Sequence, residues 1–154
     1  MRQTGEVVRR QIEAMKSDVF ELGLFRLGGG SDEVDAQMLP RAWDSETLLR
    51  STGWLRFENL RGRNIYIRPQ GEHHLSLIDD LSKSAIDRMK AEGFQPAVIV
   101  ETSSRNFQAW LNHGERLTKE LGTAVARALA SRFDGDTKAA DWRHFGRLAA
   151  FTIT

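Results

Sequence analysis

Two neighbouring carboxylates, Asp79 and Asp80, follow the apolar run Leu75-Ser76-Leu77-Ile78. Carboxylates where a strand emerges suit a hard divalent cation, because Mg²⁺ and Mn²⁺ prefer oxygen ligands and keep positions open for phosphates. Successive strand residues point to opposite faces, so the two can share one cation only where the strand ends or bulges. A turn or cap role before Leu81-Ser82 explains the pair equally well. A third carboxylate, Asp141, is followed by Arg143, His144 and Arg147. That pattern would set one metal ligand beside phosphate clamps, and a capped turn with surface charges is the plainer alternative.

The stretch Thr102-Ser103-Ser104-Arg105-Asn106-Phe107-Gln108-Ala109-Trp110 reads as a hairpin. If Phe107 and Ala109 face helices, then Asn106, Gln108 and Trp110 face outward, where amides and an indole suit a sugar, base or phosphate. A solvated sheet face is the alternative, and it explains Trp110 poorly. Between positions 50 and 68 stand Arg50, Arg56, Arg61, Arg63 and Arg68 against Glu58 alone, a local balance of five positive and one negative charge. Trp54, Phe57 and Tyr66 are interleaved among them. The pattern fits a track for a phosphate backbone, with Arg61, Arg63, Arg68 and Trp110 as DNA contacts, while solvated arginines are the commoner explanation. His73 and His74 are adjacent with no third histidine at zinc-like spacing and no cysteine, so a zinc centre is poorly supported.

The elements that must position these residues come from a chain of 154 residues, 40% hydrophobic and 28% charged. That composition buries a core and lies outside the ranges of disordered or fibrous chains. Lys+Arg 22 against Asp+Glu 21 gives +1. Bulk attraction to nucleic acid is excluded by that total, and local patches are not. The absence of cysteine excludes thiolate metal sites, a disulfide scaffold and a thiol nucleophile. No apolar run is long enough for a membrane span and no signal-peptide pattern occurs, so a cytoplasmic setting, with no membrane partner, is expected.

Val8, Ile12 and Met15 recur at helical spacing, then Phe20, Leu22 and Leu24 alternate as in a strand. Residues 31–37 read as an acidic, flexible insert, and Asp44 or Ser45 as the cap of a helix carrying Leu48, Leu49 and Leu55. Strands are predicted over 64–68 and 75–79, and a helix starting at Ser84 with Ile86 and Met89 inward and Gly93 as its stop. A buried-type strand over 96–102 turns at Ser103-Ser104-Arg105 into a strand over 107–111. The longest helix is predicted over 118–133, with Leu117, Leu121, Val125 and Leu129 as the inner face packing on Val98 and Val100. Interleaved helices and strands with a hairpin among them predict an α+β fold, helices on one face of a mostly antiparallel sheet, in a single domain over 1–154.

The ordered set Asn64-Ile65-Tyr66-Ile67-Arg68-Pro69, Leu77-Ile78-Asp79-Asp80-Leu81, Val100-Glu101-Thr102-Ser103 with Asn106-Phe107-Gln108-Ala109-Trp110, and Ala140-Asp141-Trp142-Arg143 through Arg147-Leu148-Ala149 resembles plasmid RepB-type DNA primases of the archaeo-eukaryotic primase superfamily. The match runs from about Trp54 onward. It implies an RRM-like, primase-type sheet and two metal ions, Mg²⁺ or Mn²⁺, held by Asp79, Asp80 and Asp141. It places the nucleotide-contacting motif on Ser103, Asn106 and Gln108, and sets Arg147 against incoming-nucleotide phosphates. The implied activity is a two-metal nucleotidyltransferase that lays short primers in plasmid or mobile-element replication. The implied partners are a single-stranded DNA template, nucleoside triphosphates and a helicase or relaxase of the same element. Two features depart from the pattern. Gln108 stands where the wider superfamily often has histidine, and Ala150-Phe151-Thr152-Ile153 replaces a Gly-Phe-Thr-Asn-like sequence. Family primases continue into a helical region, so the resemblance implies either a fragment or a catalytic domain whose partner segment lies elsewhere. The competing expectation is a non-catalytic single-strand-binding module on the same fold, with Trp110 and Tyr66 stacking bases.

Overall fold

The computed structural model describes residues 2–27, 34–38 and 42–151. The chain divides into two compact units, residues 1–70 with 147–154 and residues 71–146.

The first unit begins with helix α1 (Arg2–Met15), whose Val8, Ile12 and Met15 are buried at the spacing read from the sequence. Strand β1 (Val19–Leu27) follows and buries Phe20, Leu22 and Leu24 on one face. It pairs antiparallel with β2 (Val34–Met38), β3 (Trp43–Asp44) and β4 (Asn64–Pro69). The sheet order is β2-β1-β4-β8, with β8 at Gly146–Arg147. Part of the expected flexible insert, residues 34–37, is therefore strand, and residues 31–33 lie outside the described residues. The single helix expected after Asp44 is two, α2 (Ser45–Arg50) and α3 (Thr52–Leu60). Asp44 caps α2 by accepting from the Thr47 N–H at 2.7 Å, and that bonding to Thr47 holds its carboxyl below the ordinary aspartate value.

The second unit is a three-stranded antiparallel sheet in the order β5-β7-β6, where β5 is Leu75–Leu81, β6 is Val98–Ser103 and β7 is Asn106–Asn112. Helices α4 (Lys83–Ala91) and α5 (Lys119–Arg132) cover one face. There Ile78, Ala109 and Leu111 meet Ile86 and Met89 of α4 and Ala126, Leu129 and Ala130 of α5. Ser82, two residues before the expected start, caps α4 by accepting from the Ala85 N–H at 3.0 Å. The fold is α+β and antiparallel in its pairings, with two sheets where one was expected.

Two expectations fail here. Among the described residues strand β6 pairs only with β7, as an edge, and Ile99 and Glu101 are exposed rather than buried. Of the inner face expected for α5, Leu129 is buried, Leu117 is buried just before the N-cap Thr118 and Val125 packs against the core, whereas Leu121 is 50% exposed. The buried side of α5 is Gly122, Ala126, Leu129 and Ala130. Leu121→Ala should therefore change stability by no more than about 0.5 kcal/mol, as for an exposed site, measured by urea denaturation.

His73 and His113 also belong to this unit. The His113 Nε2 lies 2.7 Å from the Ser76 hydroxyl, and His73 Nδ1 accepts from the Leu75 N–H at 3.1 Å. Burial lowers both imidazoles below the ordinary value of 6.5. Nearby His74 acts in the same direction on both, and a bond to the Trp142 backbone opposes the shift at His73. The unfolded chain thus takes up protons first on acidification, so stability rises with pH across this range. Stability should be full above 6.5 and fall as pH drops below it, seen as a lower urea midpoint at pH 5.5 than at 7.5. His113→Gln should flatten that dependence.

Candidate active site

Strand β5 breaks its register with β7 between Ile78 and Leu81, and Asp80 takes a left-handed backbone with φ 61°. This is the bulge that two adjacent carboxylates need in order to escape strict alternation. Aspartate tolerates that backbone better than most residues. Asp79 Oδ1 accepts from the Asp80 N–H at 2.8 Å and from Gln108 Nε2 at 3.1 Å. Its other oxygen, Oδ2, accepts no hydrogen bond among the described residues, and Asp80 is exposed. The backbone behind Asp79 is fixed as well. Its carbonyl accepts from the Asp136 N–H at 3.0 Å. A Cβ on Gly135 would stand 2.8 Å from that carbonyl and 2.8 Å from Ile78 Cγ2, so only glycine fits there.

Gln108 is buried on β7, and its amide orients Asp79, a pairing that sequence reading gave only as a nucleotide contact. Asn106 donates from Nδ2 to Thr102 Oγ1 at 3.3 Å, Arg105 turns the hairpin with φ 63°, and Ser103 is exposed at the rim. Trp110 corrects the expectation of an outward stacking platform. It is 1% exposed, and a Cβ on Gly146 would lie 2.6 Å from its Cζ2. The face opposite the helices is covered there, so Trp110 packs rather than presents.

Asp141 lies in a turn after the buried Ala140. Its Oδ1 accepts from the Arg143 N–H at 2.9 Å, and Thr123 Oγ1 holds the next residue by accepting from the Trp142 N–H at 3.2 Å. The plain turn-forming role is thus realised, with Oδ2 left over. Among the described residues no three histidine, aspartate or glutamate side chains gather as metal ligands, so the convergence of Asp79, Asp80 and Asp141 expected from the sequence is not formed. The donor set itself fits a hard divalent ion: a carboxylate with one oxygen pinned by two N–H groups and the other open, next to a second, exposed carboxylate.

In the first unit, Arg147 is buried, with its guanidinium 5.1 Å from the Tyr66 ring centroid and Nη1 3.5 Å from the Tyr66 hydroxyl. The segment that carries it is clamped by Gln11 of α1, which donates to the Arg147 carbonyl at 3.2 Å and accepts from the Ala149 N–H at 2.7 Å. Sequence reading missed Gln11, because a polar residue among Val8, Ile12 and Met15 looks like the solvent face of a helix. The arginine cluster is divided in the structure. Arg63 pairs with the buried Glu58 at 2.8 Å, Arg68 pairs with Glu21 at 2.8 Å, and Arg61 is exposed 3.8 Å from Glu58.

A family model described as the RepB DNA-primase N-terminal domain matches residues 32–152. Mobilization protein A of Escherichia coli is 43% identical over 151 residues, 97% of this chain and 20% of that protein. A DNA primase of Acidithiobacillus ferrooxidans is 35% identical over 83 residues, 51% of this chain and 23% of that protein. The chain thus spans about a fifth of the first relative's length. Among solved structures, the catalytic domain of primase RepB' in complex with initiator DNA matches with a TM-score of 0.87 at 43% identity, over 97% of this chain and 77% of that one. The AEP domain of the cyanophage S-2L primase-polymerase has the same fold, with a TM-score of 0.67 at 14% identity over 94% of this chain and 80% of that one. Both structures agree with an α+β primase fold. With its bulged carboxylate strand and the match over residues 32–152, the chain belongs to the RepB DNA-primase N-terminal domain family.

Proposed function

We propose that residues 1–154 act as one catalytic domain of a DNA primase, joining nucleotides into short primers on a single-stranded DNA template in plasmid or mobile-element replication. The observation that carries this reading is Asp79, set on a bulge with one oxygen fixed by Gln108 and the other open. The reaction joins a 3′-hydroxyl to the α-phosphate of a nucleoside triphosphate and releases pyrophosphate. Asp79 and Asp80 would hold Mg²⁺ or Mn²⁺, which would lower the hydroxyl pKa and neutralise charge on the leaving group. Gln108 keeps the Asp79 carboxylate in one orientation, so little reorganisation is needed as charge develops. Ser103 and Asn106 on the hairpin contact the nucleotide, and Arg147 meets its phosphates. Arg61, Arg63 and Arg68 follow the template backbone.

The setting is cytoplasmic, where such replication takes place. Likeness to a fifth of a mobilization protein supports a helicase or relaxase as the partner. The test is incorporation of a labelled nucleotide on single-stranded DNA with Mn²⁺ or Mg²⁺. Template- and metal-dependent products are expected. Tight single-strand binding with no product would instead identify a binding module.

A further inference from the structure

Helix α3 turns apolar side chains toward solvent. At 100° per residue, Thr52, Leu55, Glu58 and Asn59 share one arc and are buried. Gly53, Phe57 and Leu60 fall on the opposite arc, with Phe57 54% and Leu60 76% exposed. Trp54, 42% exposed at the border, packs edge-on against Trp43 with ring centroids 6.1 Å apart. Arg56 and Arg61 stand at the two edges of this face. The Arg61 guanidinium lies 5.5 Å from the Phe57 ring centroid, and Arg56 is exposed with no acidic partner among the described residues. The one acid of the helix, Glu58, sits on the buried arc, tied to Arg63 at 2.8 Å and lying 3.8 Å from the exposed Arg61.

We propose that this face of α3 binds single-stranded nucleic acid, with bases stacking on Phe57 and packing on Leu60 and Trp54 and phosphates at Arg56 and Arg61. The inference rests on the template-binding part of the proposed function and not on its chemistry. Charge decides the occupant. Two guanidiniums bracket an aromatic strip that carries no anion, which complements a polyanion whose bases each present a π-face. A protein partner seated on an apolar strip alone would gain nothing from the two cations. Burial of exposed rings under bases also removes apolar surface that the helix leaves in water. Such a surface binds without sequence preference, because every base stacks.

The test is fluorescence anisotropy with a labelled oligothymidylate of roughly sixteen nucleotides, without divalent metal. Phe57→Ala combined with Leu60→Ser should weaken binding about tenfold or more, the scale of losing one stacked base. Phe57→Tyr, which keeps the ring, should bind as the parent does. Arg56→Gln should reduce the slope of log affinity against log salt by about 0.7. A 5-iodouracil oligonucleotide should cross-link within residues 52–61, a readout independent of how stable the variants are. Unchanged affinity of the double variant with cross-links elsewhere would overturn the proposal. So would a double variant that keeps its oligonucleotide affinity and loses association with another polypeptide. An active primase whose template affinity ignores Phe57 overturns this inference alone. A protein that binds through Phe57 and incorporates no nucleotide leaves it standing and overturns the catalytic reading.

Discussion

Asp79→Asn should lower template-directed nucleotide incorporation by at least about two to three orders of magnitude while leaving single-strand affinity within about twofold. The substitution is nearly isosteric. An asparagine oxygen still accepts from the Asp80 N–H at the 2.8 Å position and from Gln108 Nε2 at 3.1 Å, so the bulge and its hydrogen bonds survive. What disappears is the negative charge. A preorganised electrostatic group aimed at developing charge is typically worth a factor of this size, because the surroundings cannot reorganise to replace it. Single-strand binding by arginines is a separate matter, since Arg61, Arg63 and Arg68 belong to the first unit and Asp79 to the second. Incorporation assays and anisotropy on the same preparation check the split. A variant that loses binding and incorporation together would mean that Asp79 holds structure rather than chemistry. Gln108→Leu should give a smaller loss of the same kind, since it frees the carboxylate without removing it.

Trp110→Ala should destabilise the protein by about 3–5 kcal/mol, the range for removing a large aromatic from a core. The indole is 1% exposed, opposes Leu77 and Val98 across the strands, and has Gly146 directly against its ring. Its Nε1–H has no hydrogen-bond partner among the described residues, so the ring is kept for its volume and not for a polar contact. Trp110→Phe should accordingly cost much less than the alanine change. Urea denaturation measures both. If Trp110→Ala kept its urea midpoint and lost DNA affinity, the indole would be an interface residue, as the hairpin alternation first suggested.

The sequence was most readable where apolar residues are large and their period unambiguous. Val8, Ile12 and Met15 located α1, Phe20, Leu22 and Leu24 located β1, and the hairpin fell where Ser103 to Arg105 placed it. On α5 the regular spacing misled. A residue every four positions advances 400° at 100° per residue, so each step drifts about 40° around the helix: Leu121 falls off the buried side, Val125 at its border and Leu129 within it. The inner face passes through Gly122, Ala126, Leu129 and Ala130, and three of those four are small side chains that carry little hydrophobic signal. They are small because other groups come close: a Cβ on Gly122 would stand 3.0 Å from that of Trp142. Burial of Trp110 was illegible for a similar reason, since alternation tells which face a residue is on and not what covers that face.

At the candidate site, the residue types of Asp79, Asp80 and Gln108 were legible, and the bulge that the carboxylate pair requires was stated as a condition and is present. The hydrogen bond from Gln108 to Asp79 and the wedge of Gly135 behind it join residues far apart in the chain, which no local pattern reports. The arginine pairings were hidden likewise: Arg68 meets Glu21, 47 positions away. Arg63 meets Glu58, which a helical reading of the solvent face would leave exposed.

The central claim is that the Asp79 carboxylate is where a divalent ion and a nucleotide meet. Crystals soaked with Mn²⁺ and a nucleoside triphosphate, with anomalous diffraction recorded at the manganese edge, test it directly. The account predicts a peak at ~2.0–2.6 Å from a carboxylate oxygen of Asp79 that also touches a triphosphate oxygen. Manganese and nucleotide bound elsewhere, with the Asp79 carboxylate ligating neither, would contradict it.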